Sequence, residues 1–103
     1  MNDKSFTKDS ILDLIYLAIE RYNELNPDDL KLKKSFETII FGSQGNLDSL
    51  GLITFLVEVE NVVNKNLNSK ISVIDEMLFL DENGPYKNVK SLSEYIFEKI
   101  KCQ

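Results

Sequence analysis

Gly45-Asn46-Leu47-Asp48-Ser49-Leu50-Gly51-Leu52-Ile53-Thr54-Phe55-Leu56-Val57-Glu58-Val59-Glu60 is the stretch that decides the fold. Leu52, Phe55, Leu56, Val59 and Val63 recur at three- and four-residue spacing, which makes one stripe of a helix and its core face. The helix is predicted to begin at Asp48 or Ser49 and to run to about Lys65. Gly42 and Gly45 loosen the backbone just ahead of it. Leu50, Ile53 and Val57 form a second stripe at the same spacing, offset from the first, while Thr54, Glu58 and Asn61 fill the polar remainder. A surface helix needs only one apolar face. The second stripe starts beside Ser49 and reads as a docking surface for another protein. The plainer alternative is that the long preceding loop covers it.

Working outward, Ile11, Leu12, Leu14, Ile15, Ala18, Ile19, Tyr22 and Leu25 predict an amphipathic first helix of about four turns. Asp9 or Ser10 is the expected cap, and Asn26-Pro27 stops it. From Pro27 to Asn46 the chain reads as a long ordered loop pinned to the core by Phe36, Ile39, Ile40 and Phe41. Ile71 to Leu80 reads as a short third helix with Asp75 and Glu76 on its wet side, and Asp81-Glu82-Asn83-Gly84-Pro85 as a turn. The last helix is expected to start near Asn88 or Ser91, with Ser91 and Glu94 at capping-box spacing and Leu92, Tyr95, Ile96 and Ile100 facing inward. No run alternates convincingly enough to indicate a sheet. The expectation is one all-α domain over 1–103, a four-helix bundle with a long loop between helices 1 and 2 and a short third helix.

Composition narrows the function. At 103 residues the chain has room for one modest core. Seventeen acids against twelve bases leave a net charge of −5, which argues against a nucleic-acid partner and favours partners with basic surfaces. Histidine is absent, which removes serine–histidine triads, histidine zinc sites and imidazole acid–base chemistry. The single cysteine, Cys102, cannot form an internal disulfide and is expected to be an inert, exposed thiol. Met1 to Ser5 lacks the apolar run of a secretory signal and no stretch is long enough for membrane insertion, so a cytoplasmic protein is expected.

Few motifs carry chemistry. Gly42-Ser43-Gln44-Gly45 lacks the Gly-Lys-Ser/Thr of a phosphate-cradling loop. Asp81-Glu82-Asn83-Gly84 has the wrong acid spacing for a calcium loop. Glu58 and Glu60 fall on different helix faces and cannot work as a pair. Ser49 remains: a serine at the mouth of a long helix faces the positive end of the helix dipole, where a phosphate ester would be well placed. Its plain alternative role, or that of Asp48, is a helix N-cap.

Leu47-Asp48-Ser49-Leu50, followed by a long apolar helix through Val57-Glu58-Val59-Glu60, resembles the acyl carrier protein family. Asn88-Val89-Lys90-Ser91-Leu92-Ser93-Glu94-Tyr95-Ile96 looks like that family's last helix, with its valine and its Tyr-Ile pair. The resemblance implies a bundle whose serine, matched by Ser49, accepts 4′-phosphopantetheine from coenzyme A through a phosphodiester. It implies that Asp48 is read by a phosphopantetheinyl transferase and its Mg²⁺, and that Leu50 is buried by that transferase. Leu50, Ile53, Val57 and Glu60 become the expected partner-binding residues. The prosthetic thiol would carry acyl groups as thioesters for acyl-activating or acyl-transferring enzymes, and the monomeric chain would itself catalyse nothing.

The chain also departs from that family. Gly51 and Thr54 stand where it usually has acids, the loop before the motif is extended, and the turn from Asp81 to Tyr86 is enlarged. Glycine in the helix's first turn costs about 1 kcal/mol relative to alanine. These differences point to a specialised, free-standing carrier serving a polysaccharide, polyketide, peptide or lipid-modification pathway. An aminoacyl carrier of the D-alanyl or peptidyl type is the alternative within the family. A helical interaction module that is never modified is the alternative from another class.

Overall fold

A computed structural model describes residues 7–25, 32–41, 47–81 and 84–101, without the side chains of Ser49, Glu76 and Leu80. Cys102, the Asn26-Pro27 stop, Gly42 to Asn46 and the centre of the turn at Glu82-Asn83 lie outside those residues. Within them the fold is all-α: α1 (Lys8–Glu24), α2 (Ser49–Leu67), a 3₁₀ turn (Glu76–Leu80) and α3 (Val89–Lys101). No described helix is long and apolar enough to cross a membrane. Helix α1 lies against both α2 and α3. The core is one cluster drawn from the inward faces of all three helices, with Leu32, Ile40, Ile71, Val73 and Tyr86 supplied by the connections.

The starts of α1 and α3 are set by pairs of side chains rather than by single caps. Thr7, not Asp9 or Ser10, caps α1: its hydroxyl accepts from Ser10 N–H at 3.1 Å while Ser10 Oγ accepts from Thr7 N–H at 2.8 Å. Ser10 therefore acts from inside the first turn. At the other end Leu25 caps the helix and stays exposed, so it does not extend the core stripe.

Helix α3 begins at Val89, and its reciprocal pair is Asn88 with Ser91, not Ser91 with Glu94. Asn88 Oδ1 accepts from Ser91 N–H at 2.8 Å, and Ser91 Oγ accepts from Asn88 N–H at 3.1 Å. The start falls at the Asn88 end of the expected range, where the 32–41 segment meets it. Ile39 and Asn88 form an isolated antiparallel bridge. Val89 N–H donates to Thr38 O at 3.0 Å and Lys90 N–H to Phe36 O at 3.1 Å. Two first-turn donors that a helix leaves orphaned are thus satisfied by a loop. Leu32 and Ile40 pin this segment into the core, and Phe41 packs against it. Phe36 is instead exposed, with the Lys90 ammonium 5.9 Å from its ring centroid.

The expected third helix over 71–80 is not formed as such. Residues 71–75 are non-helical, and only Glu76–Leu80 turns, as a 3₁₀ segment capped by Asp75. Ile71, Val73 and Ile74 are β-branched and lose side-chain freedom in a helix. Their inward members alternate: Ile71 and Val73 are buried while Ser72 is exposed. Helix α2 ends just before, at Asn68, whose φ of 51° is left-handed.

Side chains of α2 and of the following turn hold this stretch. Asn64 Oδ1 accepts from Ile71 N–H and its Nδ2 donates to Ile71 O, both at 3.0 Å. Glu60 Oε1 accepts from Val73 N–H at 2.8 Å. The buried Tyr86 hydroxyl donates to Val73 O at 2.6 Å and accepts from Asp75 N–H at 2.8 Å. Asn23 of α1 treats Leu32 as Asn64 treats Ile71, with both bonds at 2.8 Å. A primary amide carries a donor and an acceptor side by side, so one asparagine can close both backbone groups of a residue, as a neighbouring strand would.

Asn64→Ala leaves the Ile71 backbone and the Ser69 hydroxyl, which donates to Asn64 Oδ1 at 2.7 Å, without these partners. The expected loss is about 2–3 kcal/mol, read as a lower midpoint in thermal melts followed by circular dichroism. Burial pushes the Tyr86 hydroxyl from 10.0 up to about 12, against the hydrogen bond from Asp75 N–H, which favours the phenolate. A raised native pKa means its contribution is intact below pH 10.0 and is lost as pH rises through about 12. Tyr86→Phe is expected to be less stable at neutral pH and to lose less further stability over that alkaline window. Denaturant titrations at stepped pH read both effects. Tyr22, raised for the same first reason, keeps part of the alkaline loss in the variant.

Candidate functional site at the head of helix α2

Leu47 is buried and anchors the chain immediately before the helix. Asp48 follows in extended conformation as the N-cap, its Oδ1 accepting from Gly51 N–H at 2.8 Å and its carbonyl from Leu52 N–H at 2.9 Å. The capping work therefore belongs to Asp48, and Ser49 is the first helical residue beyond it. The Ser49 hydroxyl, expected at the exposed helix mouth, lies outside the described side chains.

Two further residues shape this turn. A Cβ on Gly51 would sit 3.2 Å from Asp48 Oδ1 and 3.5 Å from Leu47 Cβ and Cδ2. Glycine thus lets the cap carboxylate close tightly over the helix start, a role that helix propensity alone does not suggest. Tyr22 of α1 is buried next to α2, its ring edge-on to Phe55 at 5.7 Å between centroids. Burial raises the Tyr22 pKa, and the Asp48 charge raises it further, so the capping carboxylate is within electrostatic reach of α1.

The two stripes separate as the sequence predicts. Leu52, Phe55, Leu56, Val59 and Val63 are fully buried. Leu50, Ile53 and Val57 are 73%, 37% and 41% exposed, so the described part of the long loop does not cover them. Between them Thr54 is exposed, and its hydroxyl donates to Leu50 O at 3.0 Å. Glu60, expected to bind partners, is engaged inside the fold instead. It is half-buried with its carboxylate on Val73 N–H, and belongs to the internal clamp. Further along the helix Glu58 lines a polar cavity with Arg21, Asn61, Val62, Lys65 and Asn66. Among the described residues no group of three or more carboxylates or thiols is placed to hold a metal ion.

The structure thus brings Asp48, the Ser49 backbone, Leu50, Ile53 and Val57 together at one end and along one face of α2, and assigns Glu60 elsewhere. The close fit at Gly51 and the internally bonded Thr54 were not read from the sequence, because each depends on an atom brought near by folding. No family model, curated protein or solved structure matches the chain.

Matched substitutions on the two stripes test this division. Ile53→Asp places a carboxylate at an exposed position, where changes usually stay within about 0.5 kcal/mol. Val59→Asp buries an unpaired charge and is expected to cost several kcal/mol. Thermal melts should show Ile53→Asp close to the parent chain and Val59→Asp largely unfolded.

Proposed function

We propose that this chain is a discrete acyl carrier protein, a cytoplasmic monomer modified on Ser49 with 4′-phosphopantetheine and serving a specialised biosynthetic pathway. The observation that carries the reading is the head of α2. Asp48 does the capping, Ser49 follows as the first helical residue, and an exposed apolar stripe runs from Leu50 along the same helix. In this reading the 3₁₀ turn Glu76–Leu80 takes the place of the short third helix in a carrier bundle.

The residues present fit the prosthetic group. Its phosphodiester is an anion, and the N-terminal end of a 19-residue helix with no acid in its first turn favours one. The Asp48 carboxylate is drawn onto Gly51 N–H, while Asp48 remains exposed enough for a transferase and its Mg²⁺ to read. Leu50, the most exposed residue of the stripe, is the side chain that a transferase would bury. When attached, the group supplies a terminal thiol that holds cargo as a thioester. The chain's own part is to present the attachment point on a rigid helix and to offer enzymes a face beside it.

Intact-mass analysis after incubation with coenzyme A, Mg²⁺ and a broad-specificity phosphopantetheinyl transferase tests the reading. One phosphopantetheine should be gained by the parent chain and none by Ser49→Ala. A gain that persists in Ser49→Ala would move the attachment point elsewhere. No gain with several transferases would favour a helical interaction module in which the head of α2 is only a helix start.

A further inference from the structure

We infer that the cleft where the 32–41 segment meets the start of α3 binds a small organic anion, a carboxylate or phosphate borne on an apolar ring or chain. The inference is independent of the carrier reading. The cleft encloses about 340 Å³ and is lined by Phe36, Glu37, Ile39, Lys87, Asn88 and Lys90. That is the small end of the range for ligand sites, ~300–1,000 Å³, and leaves room for one ring and its charged group. Phe36 and Ile39 supply the apolar lining, Phe36 exposed and Ile39 half-buried.

In a chain of net charge −5 this corner carries the opposite sign. Over residues 32–41 and 87–90, Lys33, Lys34, Lys87 and Lys90 stand against one acid, Glu37. Lys34 pairs with Glu20; the other three lysines are exposed and form no ion pair among the described residues. The Lys90 ammonium stands 5.9 Å from the Phe36 ring centroid, which keeps its charge beside the apolar lining. Asn88 adds a neutral donor: its Oδ1 is fixed on Ser91 N–H, and its Nδ2 has no acceptor among the described residues. The α3 backbone is not the attraction, because Val89 N–H is taken by Thr38 O and Lys90 N–H by Phe36 O. Selection therefore falls to ammonium groups, which recognise charge and impose little shape. An inorganic anion would leave Phe36 and Ile39 in water, and a neutral apolar molecule would leave the lysines without a counter-charge. A ligand with both parts meets both needs.

The probe is phenyl phosphate, followed by the amide chemical shifts of the full chain, with inorganic phosphate and benzyl alcohol as its two halves. Phenyl phosphate is expected to shift amides within 36–39 and 87–90 saturably, and to bind about tenfold tighter than either half. Lys87→Gln combined with Lys90→Gln, with the melting point checked against the parent, should weaken binding about tenfold, since one exposed ion pair is worth about two- to fivefold. Glu37→Gln, which removes the one opposing charge, should tighten it about twofold. Inorganic phosphate binding as well as phenyl phosphate would reduce the cleft to a charged patch and overturn the inference. Benzyl alcohol binding as well would leave the lysines no part and overturn it too. So would shifts that do not saturate or that centre on other residues, or a double variant that folds and binds as the parent does. None of these measurements involves loading at Ser49, so their outcome is separate from that of the carrier reading.

Discussion

A buried stretch of chain that is neither helix nor sheet still has to hydrogen-bond its backbone, and in this fold helix side chains meet that requirement. Asn64 closes both backbone groups of Ile71, Glu60 takes the N–H of Val73, and Tyr86 bridges Val73 O and Asp75 N–H. Asn23 does for Leu32 what Asn64 does for Ile71. These bonds let Ile71, Val73 and Leu32 enter the core without leaving polar atoms stranded. Three helices alone would leave the connections loose; with the clamps, the connections become part of the core.

The clamps also explain how α2 divides its surface. One face supplies the core, and the polar residues Glu60 and Asn64 of its C-terminal half hold the chain that follows. Its exposed large apolar residues are the stripe in its N-terminal half, Leu50, Ile53 and Val57. The head of the helix is fixed separately, by Leu47 in the core, the Asp48 cap, and Gly51, whose missing Cβ gives the carboxylate room. A serine on such a turn is held on a rigid element, as a modified residue needs if enzymes are to find it in one geometry. In the proposed carrier role, the apolar stripe beside it would give those enzymes a second point of purchase. The proposed carrier role and the exposed face beside Ser49 rest on one arrangement.

Much of this was legible in the amino-acid order. The three α-helices, the buried stripe through Val59 and the exposed stripe through Ile53 follow from spacing, because an α-helix turns the same way wherever it forms. The placing of Ser49 at the mouth of α2 follows from the same periodicity. Local order was also enough for the turn whose Gly84 N–H donates to Asp81 O at 3.0 Å. What it left open or misassigned were the partners of polar atoms. Spacing leaves open whether Asp48 or Ser49 caps α2, but it pairs Ser91 with Glu94 where Asn88 is the partner and gives Glu60 to a partner protein where it holds the next stretch of chain; each turns on groups distant in sequence or equally spaced. The run from Ile71 to Asp75 stays out of helix because Glu60, Asn64 and Tyr86 are there to receive its backbone. Periodicity is a property of one segment and can be read from that segment; hydrogen-bond satisfaction in a packed interior is a property of two, and only the tertiary structure brings the second within reach.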